Sequence, residues 1–306
     1  MRRSTKHELP KQSCWGCLVL LTVACGTPAP DNVTASAAEL SCENPTTLRF
    51  VPDTGNVAEA YLCFGFDAQA FATSTIRAVH WQAPSATSAF QIHHATLYAV
   101  PGDYPDGPLV CDGMPPGAVG LHVWTPGGTN LDLPADAGLQ LPAGTQRFII
   151  QSHTLHVGSG PVEDGRVTLC QGPSAPARLA ALLGYLSPVP AIRPEHTENS
   201  EGICTLGGSV HLWSVWPHMH LIGKEISVDL VRSAGGTQPL IDVVPWDFHA
   251  QKTYPLAVDA SAGDVFHTHC TWQNDSEQYV FPGPLTENEM CDTAFIAWPA
   301  EAAFCQ

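Results

Sequence analysis

Residues 215–230 read VWPHMHLIGKEISVDL, and the alternation in their second half decides the fold class. Ile226, Val228 and Leu230 alternate with Ser227 and Asp229, the period-two pattern of a strand with one buried face. His218 and His220 precede that run at positions i and i+2, which project to the same side of an extended chain and diverge on a helix. Pro217 removes a backbone donor just before the pair, which suits an edge position at the mouth of a strand. Two imidazoles so placed can share one metal ion. An H-x-H is also what two unrelated surface histidines look like, so partners elsewhere in the chain must decide.

The rest of the chain repeats the strand pattern. Alternating runs such as FQIHHATLYAV (90–100) and QRFIIQSHTLHV (146–157) are separated by the turn-rich PGDYPDGP, TPGGTN and LPAGT. A second block holds ISVDLV, GDVFHTHCTW and DTAFIAW, and neither a helical heptad nor a solenoid repeat intervenes. Composition agrees: 27 Pro and 26 Gly favour many short strands and turns, and 44% apolar residues supply a core. Between the blocks, residues 171–197 contain one helix-prone piece bounded by prolines, read as an interdomain connection. The length of 306 residues suits two tandem antiparallel β-sandwiches. We place the domains at 41–185 and 186–306.

Residues 1–24 read as an export signal, with a basic start (MRRSTKHELPK), an apolar stretch (SCWGCLVLLTVA) and a small residue before Cys25. LTVAC resembles the bacterial lipobox, which makes Cys25 a candidate for lipidation and membrane attachment; a plain signal peptide is the alternative. Residues 26–40, GTPAPDNVTASAAEL, suit a flexible tether, so 25–40 is kept out of any core. The expected location is the cell envelope, the periplasm or the medium, an oxidising setting. Residues 1–24 hold four of the 13 basic and one of the 29 acidic residues, leaving a formal charge of -19 on the remainder. That field excludes nucleic acid as a partner. Of eleven cysteines, Cys14 and Cys17 leave with the signal. The eight from Cys42 onward lack any C-x-x-C, which suits disulfides over structural zinc, with 105 pairings open.

The first block has its own histidines. His93 and His94 are adjacent, so on a regular strand they face opposite ways; one ion can take both only where the strand ends, twists or bulges. His153 shares a strand face with Ile149, Gln151 and Leu155 and can approach from a neighbouring strand. The second block offers His218, His220 and Met290. A thioether is a soft ligand, so a set of two histidines and one methionine selects copper over zinc, calcium or magnesium.

These segments carry a resemblance. HMHLIGKEISVDLVR is similar to the histidine-pair segment of the copper type II, ascorbate-dependent monooxygenases, the family of peptidylglycine α-hydroxylating monooxygenase and dopamine β-monooxygenase. His218, His220, Gly223, Lys224, Ser227 and Arg232 match the peptidylglycine enzyme. IHHATLY, IQSHT and NEMC resemble three further segments in the same order, from about residue 42 to the C-terminus. The resemblance implies an exported bacterial member of that family, with jelly-roll-like sandwiches and one copper site in each. His93, His94 and His153 would bind an electron-supplying copper, with Gln151 near it. His218, His220 and Met290 would bind the copper that meets O2 and form the catalytic set, Met219 pointing away. It also implies disulfides Cys42–Cys170, Cys63–Cys111, Cys204–Cys305 and Cys270–Cys291. His267 and His269 form a competing H-x-H, disfavoured because the matching residues follow His218 and His220; like His156, His211 and His249 they are read as structural or surface residues.

The implied activity is hydroxylation of an unactivated C–H bond using O2, two coppers and a reductant such as ascorbate. The alternative is an exported protein that stores, senses or delivers copper. Where the peptidylglycine enzyme anchors its substrate's carboxylate with arginine, asparagine and tyrosine, this chain has Trp216, Asp292 and Ala294. The small-molecule substrate is therefore expected to be neutral or aromatic.

Overall fold

The computed structural model describes Cys42 and residues 45–305 except 112 and 303. The expected signal peptide (1–24), Cys25 and the expected tether (25–40) lie outside the described residues. The first block forms β1 (Thr46–Phe50), β2 (Glu59–Asp67), β3 (Ile76–Gln82), β4 (Phe90–Val100) and β5 (Leu109–Val110). It continues with β6 (Val119–Trp124), β7 (Leu131–Asp132), β8 (Ala137–Leu139), β9 (Arg147–His156) and β10 (Gly165–Gln171). The second block forms β11 (Arg178–Leu186), β12 (His196–Thr205), β13 (Val210–His218) and β14 (Gly223–Val231). It ends with β15 (Thr237–Val243), β16 (Tyr254–Ala260), β17 (Val265–Asn274) and β18 (Asp292–Trp298). One 3-10 turn, Gln69–Phe71, is the only helical element among the described residues. The all-β expectation therefore holds.

The strands make three sheets. A five-stranded sheet runs β5-β2-β9-β4-β6 and a four-stranded sheet runs β12-β17-β14-β15. Both belong to sandwiches whose second layer is one long sheet, β1-β10-β3-β8-β11-β18-β13-β16, with β7 on β3. All pairings are antiparallel except β8 with β11. In β9, Phe148 and Ile150 enter the first core with Leu62, Leu97 and Val167, while Ile149, Gln151 and His153 occupy the other face. In β14, Val228 and Leu230 pack with Leu212, Phe266 and Phe295 in the second core. The alternation seen in ISVDL is the alternation of this sheet.

The helix-prone piece of the connection is a strand. Arg178–Leu186 pairs with β8 at its start and with β18 along Ala181–Leu186. Helix propensity in an Ala/Leu-rich run is a weak preference, and two unsatisfied ladders on either side override it. β11 thus joins both sandwiches in one sheet, and the boundary at 185/186 falls at the end of a strand that the two share. Ser41–Gln306 is one compact unit. Four disulfides, Cys42–Cys170, Cys63–Cys111, Cys204–Cys305 and Cys270–Cys291, match the pairings the resemblance implied, and each closes a loop within one block. They mark a chain that matures in an oxidising compartment.

Candidate metal centre

β4 solves the geometric problem of its adjacent histidines with a bulge. Ile92 pairs with Thr154 and His94 with His153, so His93 is the extra residue, and the bulge turns it to the same side as its neighbour. His93, His94 and His153 each offer a ring nitrogen within 4.8 Å of the others. Their ring centroids are 4.9 to 5.1 Å apart. His153 is fully buried, stacks on Tyr61 at 4.2 Å and gives Nε2–H to Glu59 at 2.5 Å. That donation leaves its Nδ1 lone pair facing His93 Nδ1 at 2.9 Å.

The second set is built at a strand exit. His218 is the last residue of β13, and the ladder to β16 ends earlier, at Val215, so Pro217 has a strand neighbour on one side only. His220 lies in the turn before β14. A side chain at Gly223 would come within 2.9 Å of Trp246 and 3.1 Å of Met219, so the glycine permits this close turn. Trp246 Nε1–H bonds the His220 carbonyl at 3.1 Å. Met219 is buried in a hydrophobic cluster with Trp246 and Trp272. His218 Nδ1–H donates to Gln251 Oε1 at 2.7 Å, and His220 Nδ1–H donates to the Asn288 carbonyl at 3.1 Å. Both tautomers place the lone pair on Nε2.

Glu289 holds this turn. It is 1% exposed and accepts from His220 N at 3.0 Å, Ile222 N at 2.8 Å, Trp272 Nε1 at 2.9 Å and Met290 N at 3.3 Å. Burial nevertheless pushes its carboxyl up to about 7, since four donors only partly offset desolvation. Met290 follows it and lines a cavity of about 440 Å³ with His94, His218, Trp216 and Asp292. Gln151 borders the same cavity, but its amide donates to the Gly113 carbonyl at 2.6 Å and its oxygen accepts from Tyr98 at 3.3 Å. It braces the wall.

The donor set fits a metal ion that takes imidazole ligands. Burial, ahead of every other cause, pushes His218 down to about 3 and His220 to about 4 and holds His93, His94 and His153 below the ordinary histidine range. All five are therefore neutral at pH 7, the form that ligates. His93 Nε2, His94 Nδ1 and His220 Nε2 are buried with no hydrogen-bond partner. Stranded lone pairs of this kind cost about 1–3 kcal/mol each unless an ion takes them up. The competing pair is elsewhere: His267 reaches Glu201 at 3.3 Å and His269 reaches Thr271 at 3.2 Å on the half-exposed face of β17.

The supporting residues Glu59, Gln251 and Glu289 were not singled out in the sequence. Glu289 abuts Met290, which is a faint signal; Glu59 and Gln251 are remote in sequence from the histidines they orient and gave none.

Solved structures of infectious bursal disease virus align at low scores. The Gt strain gives 10% identity over 85% of this chain and 72% of that one with a TM-score of 0.21. The Gx strain gives 8% identity over 85% and 73% with a TM-score of 0.18, and neither bears on fold or function. Residues 177–305, which carry His218, His220, Glu289 and Met290, match the family model for the C-terminal domain of copper type II ascorbate-dependent monooxygenases. That match assigns residues 177–305 to the C-terminal domain of the copper type II ascorbate-dependent monooxygenases.

Proposed function

We propose that this protein hydroxylates an unactivated C–H bond of a small organic molecule, using O2 and two one-electron equivalents from a reductant such as ascorbate. One observation carries the reading: five neutral imidazoles, four of them buried and His94 half-buried, converge beside a cavity of about 440 Å³ whose wall includes the thioether of Met290. His93, His94 and His153 would hold one copper, and His218, His220 and Met290 the other. Bound copper supplies one-electron redox chemistry toward O2. Glu59, Gln251 and the Asn288 carbonyl fix which imidazole nitrogen is free, so the ligands need not reorganise. Trp216, stacked on His218 at 4.8 Å, shields that ring from water.

The same wall limits the substrate. Trp216 and Ala294 face each other across β13 and β18, and Asp292 lies opposite His218. Trp216 and Ala294 also wall a second cavity of about 270 Å³ with Leu182 and Trp213. Such surfaces suit neutral, apolar or aromatic molecules, and they offer a carboxylate no cation. Burial pushes Asp292 up to about 7, because this wall disfavours a negative charge, and a substrate carboxylate placed beside it would meet the same penalty.

The test is O2 consumption by copper-loaded protein with ascorbate, screened over neutral aromatic compounds, with product mass showing one added oxygen. Met290→Ile should abolish turnover while the first set stays loaded. Copper bound at both sets with no substrate-dependent O2 uptake would favour a protein that stores or delivers the metal.

A further inference from the structure

We propose that the smaller cavity beside Trp216 is a binding pocket for a neutral aromatic molecule carrying a hydrogen-bond acceptor, and that His122 Nε2–H is the donor that holds it. This cavity, about 270 Å³, shares Val123, Leu182 and Trp216 with the larger one that Met290 lines. Trp216 pairs with Ala294 across β13 and β18, and the methyl group of Ala294 leaves open the volume a longer side chain would fill. β13 also bulges between Leu212 and Ser214, so the adjacent Trp213 and Ser214 both reach the cavity. An apolar cavity of about 150 Å³ takes a benzene ring, so this one has room for a ring and a substituent.

The polar atoms of the wall select the ligand. His122 is 4% exposed and lines the cavity. Its Nδ1 accepts from Trp81 Nε1–H at 3.0 Å, and an indole only donates, so the proton of the neutral ring sits on Nε2. Among the described residues nothing accepts from that Nε2–H, and the atom is not sealed in the way His220 Nε2 is. It is a donor open to the cavity, and it forgoes a hydrogen bond that an acceptor on a ligand restores. Ser214, 7% exposed, brings a second hydroxyl-bearing side chain to the same wall. The ligand's charge follows as well. No Lys or Arg lines the pocket, and half-buried Asp132, bonded to His80 at 2.8 Å, does, so an anion meets a carboxylate and no cation. An inward-facing N–H disfavours a cation. A carbonyl or ether oxygen on an aromatic ring meets all of these conditions.

Metal-free protein suffices for the test, so its result is independent of the copper reading. Acetophenone is the probe, ethylbenzene the control of similar shape without the oxygen, and benzoate the anionic control. In nuclear magnetic resonance spectra of protein isotopically labelled in its histidine rings, acetophenone should shift the His122 Nε2 signal, assigned by its loss in His122→Phe. The affinity ratio of acetophenone to ethylbenzene, measured by calorimetry, should fall about three- to tenfold in His122→Phe, the worth of one hydrogen bond. His122→Gln, which keeps an amide donor, should retain most of that ratio. Ala294→Phe fills the pocket and leaves the Trp81–His122 bond in place, so it should abolish binding of both aromatic probes even where His122→Phe fails to fold. An unmoved His122 Nε2 signal at saturating acetophenone, equal affinity ratios in wild type and His122→Phe, or tighter binding of benzoate would overturn the pocket as argued. So would the absence of acetophenone binding. None of these outcomes bears on O2 consumption, which tests the proposed function separately.

Discussion

The two histidine sets reach the same cluster by different construction. His93, His94 and His153 sit on β4 and β9, neighbouring strands paired from Phe90 to Val100, and a single bulge supplies the irregularity they need. His220 lies in a turn and Met290 in the loop just before β18. Their backbones are joined by Glu289, which bonds the amides of His220, Ile222 and Met290. A sheet positions ligands through register, which many hydrogen bonds share. A turn positions them through whichever buried group gathers its amides. The first set should therefore survive loss of any one supporting side chain, and the second should depend on one.

The largest expected effect follows from that contrast. Glu289→Ala removes the acceptor for three backbone amides and the Trp272 indole and leaves them buried without partners, at about 1–3 kcal/mol each. Global stability by urea denaturation should fall by several kcal/mol. If each set holds a copper as proposed, one copper per chain should be lost while His93, His94 and His153 retain theirs. Loss of both coppers in a still-folded variant would show that the sets are not independently built. Glu289→Gln keeps one acceptor oxygen and is expected to fall between the wild type and Glu289→Ala.

A smaller effect is expected in the first set. Burial alone would raise the Glu59 carboxyl, yet the Thr286 and His153 hydrogen bonds carry it below its ordinary value, so it is anionic at pH 7. Glu59→Gln preserves the shape and weakens the acceptor for His153 Nε2–H. Loss of such an orienting carboxylate lowers metal affinity by roughly 10–100-fold, which competition with a Cu(I) chelator would measure. Stability should change little, because the β4–β9 ladder stays intact. Complete loss of the first copper would instead mean that the sheet contributes less positioning than its register suggests.

The same contrast explains what was legible in the sequence. Strand alternation, the need for an end, a twist or a bulge if His93 and His94 are to share one ion, and the face of His153 follow from the period of two, a local property of the chain. The disulfides and the H-x-H-to-methionine pattern came through resemblance. The strand at Arg178–Leu186 was hidden because its fate is set by distant partners, the ladders of β8 and β18. Glu59, Gln251 and Glu289 were hidden for the same reason: a carboxylate or amide becomes a ligand's partner only when the fold brings it there. The closeness of the two sets depends on bonds such as Glu59 to Thr286, whose residues are 227 positions apart.

The smallest effect concerns a histidine outside both sets. His122 is 4% exposed, lines the cavity behind Trp216, and accepts from Trp81 Nε1 at 3.0 Å through Nδ1, so it is held neutral. Burial pushes it down to about 4. Below pH 6.5 the unfolded chain takes up this proton before the folded one, so the stability that neutral His122 contributes is complete above that pH. It is lost as pH falls toward 4. A shift of this size corresponds to at most about 3 kcal/mol across the window. His122→Gln keeps a carbonyl acceptor for Trp81 and removes the titration, so the variant should lose less stability than the wild type between pH 6.5 and 4.5. The comparison is made on metal-free protein, where both variants keep the five proposed ligand histidines, and its difference isolates His122. Parallel pH profiles would mean that the ring is solvated on the cavity side, which would make that cavity a wetter and more polar surface than its Leu182 and Trp213 walls imply.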